Sequence, residues 1–307
     1  MKIVFFGTTD YSARMLEALI SAGHDISLVV TLPDRPSRRG HKPIPTPVAK
    51  LAQKEGLTLM KVKNMHNEDL VRRVKEADSD LGVVVAFKIL PVEVFGAPRL
   101  GTINVHPSLL PELRGPAPVR WALIRGYKET GITTFRINEN VDEGNLFLQE
   151  RIRIGPDETY GELFERITES SADILIHTVN GLAAGTLQPK MQDDSMATKA
   201  PKITPENSRI DWTKSAKDIH NLVRAMNPKP GAWAKFRGET VRIYQTEVTE
   251  SQGTPGEIIE CNPKTGLTVA CGDGAVKVLE LQMPGKKAID VCSFLCGCKI
   301  EEGELLR

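Results

Sequence analysis

No cysteine precedes Cys261. The five in the chain, Cys261, Cys271, Cys292, Cys296 and Cys298, lie in its last sixth and are odd in number. That argues against a disulfide framework as the organising principle. Cys296 and Cys298 form a CxC, but no histidine at matching spacing and no CxxC pair accompanies it. Buried or incidental thiols therefore fit better than zinc ligands, and no metal is expected. Apolar runs are short too: none reaches the roughly 18 residues that a membrane-spanning helix needs. A signal-peptide layout is also missing, since Met1-Lys2 runs directly into IVFF. A cytoplasmic location with no membrane partner is the expectation. An excess of either charge is lacking as well. With 40 Lys and Arg against 39 Asp and Glu, the net charge is +1, so any affinity for nucleic acid must come from a local patch. There are no internal repeats and no low-complexity segments.

What is present is an ordinary globular composition, 40% hydrophobic and 26% charged, spread over 307 residues. That length suggests two domains. KIVFFG, ISLVVT, LTLMKV, LGVVVAF, GTINVH and GITTFRI read as strands, several of them continuous apolar runs of the kind buried in parallel sheets. Helical spacing falls between them, at SARMLEALISAG, TPVAKLAQKEG and NEDLVRRVKEADS, and a long helix covers TYGELFERITESSADILIHTVNGLAAG. Alternating strand and helix predicts an α/β, doubly wound, mostly parallel sheet over residues 1–189. Residues 190–207 are polar and turn-rich, so they read as a linker. Residues 208–307 open with one helix, SAKDIHNLVRAM. They continue as short strands with glycine turns, which predicts a small OB-like β-barrel.

Candidate chemistry centres on GTINVHPSLLPELRGPAPV, residues 101–119. Side chains at i and i+2 of a strand share a face, so Asn104 and His106 project together near a strand's carboxyl end. Open α/β sheets bind ligands there. A carboxamide N–H and an imidazole N–H can both donate to an oxygen gaining charge, and imidazole also moves protons near neutral pH. Asp142, in the loop RINENVDEGN, offers a carboxylate to orient the imidazole. The three together suit acyl transfer with no protein nucleophile, the substrate bringing an amine. The plainer alternatives are a packed histidine, a turn aspartate and a stiff surface loop. A basic loop, PDRPSRRGHKP, carries Arg35, Arg38, Arg39 and Lys42 against Asp34 alone. It reads as a phosphate-binding finger or as a solvated charge cluster. The start GTTDYS is not a GxGxxG fingerprint, which weakens a nicotinamide dehydrogenase reading.

NVHPSLLPELRGPAPVRWAL closely resembles the signature of folate-dependent formyltransferases. The likeness extends through VFFGTTDYSARMLEAL, PDRPSRRGHKPIPTPV, VVVAFKILP, GITTFRINENVDEGN, KITPENSRIDW and GDGAVKVLELQMPGKK. The resemblance implies a Rossmann-like formyltransferase domain and transfer of formyl from 10-formyltetrahydrofolate. Among family members it points to those that formylate methionine esterified to initiator tRNA. The alternative acceptor is an amino-sugar nucleotide or another small amine. It further implies that Asn104 and His106 stabilise the oxyanion while Asp142 holds His106 charged and oriented. The pterin would lie against Phe87, Ile89, Leu90 and Pro91 and against Ser108, Leu109, Leu110 and Pro111. Tyr11 would line the methionine pocket, or be a purely structural aromatic. Arg35, Arg38, Arg39 and Lys42, with Arg39 the best match to the family's key arginine, would grip the acceptor stem. Basic residues of the C-terminal module would support the tRNA body, among them Arg224, Lys229, Lys235, Arg237, Arg242, Lys286 and Lys287. A monomer is expected. Two departures stand out. AFKILP is one residue shorter than the family's usual AYG-x-ILP and lacks its glycine, and Tyr11 stands where the family usually has Phe, with Thr9 in place of the usual proline.

Overall fold

The computed structural model describes residues 1–36 and 43–307. It divides into two compact units. The first comprises Met1–Gly115, Thr130–Ile152 and Arg166–Lys199; the second comprises Pro116–Glu129, Arg153–Glu165 and Ala200–Arg307. The division is interleaved along the chain. Helix α5 (Pro118–Ile124) packs on helix α7 (Ala216–Met226), which draws a stretch from mid-chain into the second unit.

The first unit is built on β1 (Lys2–Gly7), α1 (Asp10–Ser21), β2 (Asp25–Thr31), α2 (Pro47–Lys54), β3 (Leu59–Lys61) and α3 (Glu68–Glu76). It continues with β4 (Leu81–Val85), α4 (Val92–Phe95), β5 (Thr102–His106), β6 (Glu129–Arg136) and β7 (Leu146–Arg153). Helix α6 (Tyr160–Ala183) enters it at Arg166. The seven strands order as β3-β2-β1-β4-β5-β6-β7. β1 is parallel to β2 and β4, β4 is parallel to β5, and β6 runs antiparallel to β5. Ile3, Val4, Phe5, Phe6, Val83, Val85 and Ile103 are fully buried, which is why these strands read as unbroken apolar runs. Strand order reverses between β1 and β4, so a crevice forms at the carboxyl ends of the central strands. Gly7, Val85 and His106 end the strands that border it.

The departure at Thr9 has a local reason. Thr9 is the N-cap of α1 and forms a capping box with Ser12. The Ser12 hydroxyl also donates to the Val85 carbonyl at 2.6 Å, tying the start of α1 to the end of β4.

In the second unit, α7 begins at the N-cap Ser215. The sheet consists of β8 (Ala232–Phe236), β9 (Glu239–Thr249), β10 (Ile258–Asn262), β11 (Gly266–Ala270) and β12 (Ala275–Gln282), with β13 (Ile289–Asp290) paired to β12 and followed by α8 (Val291–Gly297). The order β10-β11-β12-β9-β8 leaves β8 and β10 as edges. Residues 304–307 fill the gap between them. Arg307 N–H donates to the Lys235 carbonyl at 2.8 Å on the β8 side, and Leu306 N–H donates to the Gly256 carbonyl at 2.8 Å just before β10. Ile258 N–H donates to the Glu304 carbonyl at 2.8 Å. This short segment closes the sheet into a barrel and removes its open edges. Leu306 is buried, and burial of a leucine side chain contributes about 2 kcal/mol. Removing Leu305–Arg307 should therefore lower the thermal midpoint of this unit by roughly 10 °C. An unchanged midpoint in a thermal melt would show that the closure adds nothing.

Candidate active site

β5 places Asn104 and His106 on one side of the sheet, opposite Phe135 and Thr133 of β6. His106 is only 4% exposed. Its Nε2 lies 3.1 Å from the Leu113 carbonyl oxygen, and a carbonyl only accepts, so Nε2 carries hydrogen. Its Nδ1 faces Asp142 Oδ2 at 3.7 Å, within ion-pair range and longer than a hydrogen bond. The same Oδ2 accepts from the Gly115 N–H at 2.8 Å. The carboxamide Oδ1 of Asn104 is buried with no hydrogen-bond partner. The structure thus brings together the three residues singled out from the sequence.

Three non-glycine residues around this cluster adopt left-handed backbone: Ala86 (φ 45°), Leu113 (φ 61°) and Asp142 (φ 59°). Such conformations cost about 1–3 kcal/mol each and persist where the surroundings impose them. Ala86 directly follows β4, so the tight turn out of that strand falls on an alanine of the shortened AFKILP segment. Leu113 is held by its N–H donating to Thr198 Oγ1 at 2.9 Å and by its carbonyl accepting from His106. Asp142 is held by Gly115 and by Gln192, whose Nε2 donates to the Asp142 carbonyl at 2.9 Å and to the Gly144 carbonyl at 2.8 Å.

Of the residues expected against the pterin, Phe87 is half-buried and packs toward Phe6, with ring centroids 6.2 Å apart. Ile89 is 73% exposed, Leu90 is buried and Pro91 is half-buried. Leu110 and Ser108 are buried, and the Ser108 hydroxyl donates to the Glu112 carbonyl at 2.7 Å. Leu109 and Pro111 are half-buried. Sequence reasoning missed what fixes this loop. Buried Thr133 donates to the Ser108 carbonyl at 2.7 Å and accepts from the Leu110 N–H at 3.1 Å. Gln149 Nε2 donates to the Leu110 carbonyl at 2.8 Å. A Cβ on Gly131 would collide with the Leu109 side chain and the Glu150 carbonyl, so that glycine admits the wall to the sheet. Tyr11 is buried on α1 and its hydroxyl donates to Ser171 Oγ at 2.8 Å. Burial raises its phenol above the ordinary value against the opposing effect of that bond.

Among the basic residues, Arg38, Arg39 and Lys42 lie outside the described residues. Arg35 is exposed and exchanges backbone hydrogen bonds of 3.0 and 2.9 Å with Ile44, which closes the base of the loop. Asp34 is paired with Lys61 at 2.7 Å, so the loop's one acid is already neutralised. In the second unit Lys286 and Lys287 are exposed between β12 and β13, and Lys235 is half-buried with Nζ 2.9 Å from Thr240 Oγ1. Lys229 and Arg242 are exposed as well. Arg237 is exposed and pairs at the surface with Glu304 through bonds of 2.7 and 2.6 Å and with the Lys299 carbonyl. One expectation needs correction. Arg224 is buried, bonded to Asn221 and to the Gly155 and Glu158 carbonyls, because helix α7 turns it inward. The Arg224 guanidinium is therefore not at the surface.

A doubly wound unit carrying an Asn-His-Asp cluster, with a closed β-barrel in the other unit, is the layout of a formyl transferase. The family model described as formyl transferase matches residues 1–179, and the formyl transferase C-terminal domain matches residues 202–299. A methionyl-tRNA formyltransferase of Geobacter metallireducens is 40% identical over 99% of this chain and 97% of its own length. One from Porphyromonas gingivalis is 40% identical over 97% of this chain and 95% of its own. The chain belongs to the methionyl-tRNA formyltransferase family. Solved structures share the fold at lower identity. The sugar 3N-formyl transferase WlaRD, with dTDP and 5-N-formyl-THF, has a TM-score of 0.68 at 17% identity and covers 94% of this chain and 99% of its own. HypX from Aquifex aeolicus, in complex with tetrahydrofolic acid, has a TM-score of 0.64 at 21% identity and covers 96% of this chain and 47% of its own. Among the described residues no helix is long and apolar enough to cross a membrane, and no cluster of three His, Cys, Asp or Glu could hold a metal ion.

Proposed function

We propose that this protein transfers the formyl group of 10-formyltetrahydrofolate to the α-amine of methionyl-initiator tRNA. The observation that carries the reading is full-length 40% identity to proteins of that name, across both matched domains. The placement of Asn104, His106 and Asp142 in one cluster supports it. The same reading makes the protein a cytoplasmic monomer.

The donor supplies the formyl carbon and N10 as the leaving nitrogen; this chain's residues manage charge and protons. The attacking amine must be neutral, and in forming its bond to carbon it gives up one proton, while N10 gains one as its bond breaks. Asn104 offers an acceptor oxygen and an NH2 group with two N–H donors. Its buried, unpartnered Oδ1 suits an amine N–H, and its Nδ2 suits the formyl oxygen as charge gathers there. His106 Nε2–H, now donating to the Leu113 carbonyl, would share or transfer that hydrogen bond to the same oxygen. Asp142 faces the other ring nitrogen and stabilises the imidazolium when it forms. Ser108, Leu109, Leu110 and Pro111, braced by Thr133 and Gln149, would wall the pterin together with Phe87 and Pro91. Tyr11 would reach the methionine side chain only through its ring, since its hydroxyl is spent on Ser171.

Recognition of tRNA would rest on the loop of Arg35, Arg38, Arg39 and Lys42, with Lys235, Lys286 and Lys287 as phosphate contacts in the second unit. Purified protein with 10-formyltetrahydrofolate should formylate charged initiator tRNA and leave amino-sugar nucleotide and glycinamide ribonucleotide unchanged. Activity only on the small amines would sink the reading. Arg39→Ala should lower kcat/KM for tRNA by about tenfold or more, the scale of a charged hydrogen bond, while folate binding holds. Equal tRNA kinetics in the variant would remove the loop from the mechanism.

A further inference from the structure

Residues 190–199 read as part of a connector, yet they belong to the first unit and reach both groups that face His106. Thr198 Oγ1 accepts from the N–H of Leu113, whose carbonyl meets His106 Nε2. Gln192 donates twice to the Asp142 loop, at the Asp142 and Gly144 carbonyls, and Asp142 faces His106 Nδ1. Leu113 and Asp142 both sit at positive φ, a conformation that such ties help to hold. Gln192 also accepts through Oε1 from Arg114, at 3.2 Å from Nε and 2.7 Å from Nη2. Arg114 in turn pairs with Asp194 at 2.5 Å and with Glu143 at 3.3 Å, and its side chain is 11% exposed. One carboxamide therefore links the loop that supplies Leu113 and Gly115 to the loop that supplies Asp142.

We propose that Gln192 and Thr198 are positioning residues for His106, so that the 190–199 segment is a brace of the transfer site. This rests on the reading of Asn104, His106 and Asp142 given above. The chemistry of position 192 is demanding. It must accept from a guanidinium and donate to two carbonyls. Glutamate has no donor, lysine and arginine have no acceptor, and asparagine is one methylene shorter.

That demand gives a discriminating test. Gln192→Glu keeps the length and the Arg114 acceptor but removes both donors to the Asp142 loop. Thr198→Val keeps the shape but leaves the Leu113 N–H unpartnered. Each variant is compared with the wild-type full chain for kcat, KM for both substrates, the pH profile of kcat/KM and the thermal midpoint. Displacing a reacting group by about 1 Å can cost on the order of a hundredfold. The expected result is kcat lower by about tenfold to a hundredfold in each variant, KM values within about threefold, and a displaced pH profile. Gln192→Asn, which retains the donors, should recover part of the loss. Wild-type kcat and pH profile in Gln192→Glu and Thr198→Val would overturn the proposal. So would a loss of activity that only tracks the folded fraction in the melts. His106→Ala in the same assay separates the two levels. If it is inactive while Gln192→Glu is normal, only the brace fails. If it is fully active, the site reading fails and the brace with it.

Discussion

His106→Ala is expected to lower kcat about a thousandfold while leaving KM for the folate donor nearly unchanged. The imidazole has two tasks: its Nε2–H donates to the formyl oxygen, and once that proton has passed to the oxygen the bared Nε2 can accept the one that leaves the amine. Loss of one oxyanion donor costs about a hundredfold to a thousandfold, and loss of acid–base assistance costs a similar factor. Because one ring performs both, the costs do not simply multiply. Stability will also fall modestly. The Leu113 carbonyl loses its donor at a buried position, at a cost of about 1–3 kcal/mol. The measurement must therefore compare turnover per folded molecule, with the thermal midpoint recorded alongside. Asp142→Asn adds the complementary arm. An asparagine can still accept from the Gly115 N–H, so the loop should hold, but the negative charge opposite Nδ1 is gone. A kcat within a few-fold of wild type in both variants would remove this pair from the chemistry.

What was legible in the sequence follows a physical line. Central strands β1 and β4 are buried on both faces, so their apolar runs announced them. β7 at the sheet's end, LFLQERIR, buries only Phe147 and Ile152 and is polar from Gln149 to Arg151, so no apolar run marks it. Helix α5 was hidden inside a proline-rich stretch whose other half is loop. Asn104 and His106 were readable because strand period fixes their shared face. Asp142 was singled out in a turn-like loop that also carries Glu139 and Glu143, with Gly144 two positions on. Gln192 and Thr198 were not, since they act on backbone groups 50 and 85 residues away and leave no periodic trace. Barrel closure by residues 304–307 has the same character: it is made by main-chain hydrogen bonds, which composition does not reveal. Arg224 shows the opposite error. Counting positive residues identified it as a contact for phosphate, but charge on the sequence does not show which guanidinium is buried and already bound.

Gly144→Ala is the second change with a large expected effect, and it tests the geometry around Asp142 without touching any reactive atom. A Cβ at position 144 would fall within the van der Waals envelope of the Arg136 carbonyl oxygen at the end of β6, with Phe135 Cδ2 only 3.2 Å away. The obstructing atom is backbone, so no rotamer change relieves it. Either β6 or the loop must move by an amount on the order of an ångström. The loop is the softer partner, since β6 is hydrogen-bonded to β5. Asp142 lies two residues away, and the Gly144 carbonyl is one of the two that Gln192 holds. A shift of that size should lower kcat by about a hundredfold and lower the thermal midpoint by several degrees. Gly185→Ala is the control. Gly185 has φ 69°, and an added methyl there would meet nothing within 4 Å. It should cost about 1–2 kcal/mol of stability through backbone conformation alone, with kcat unchanged. If both alanines behaved alike in turnover, the close packing of the Asp142 loop on β6 would not be what sets the carboxylate in place.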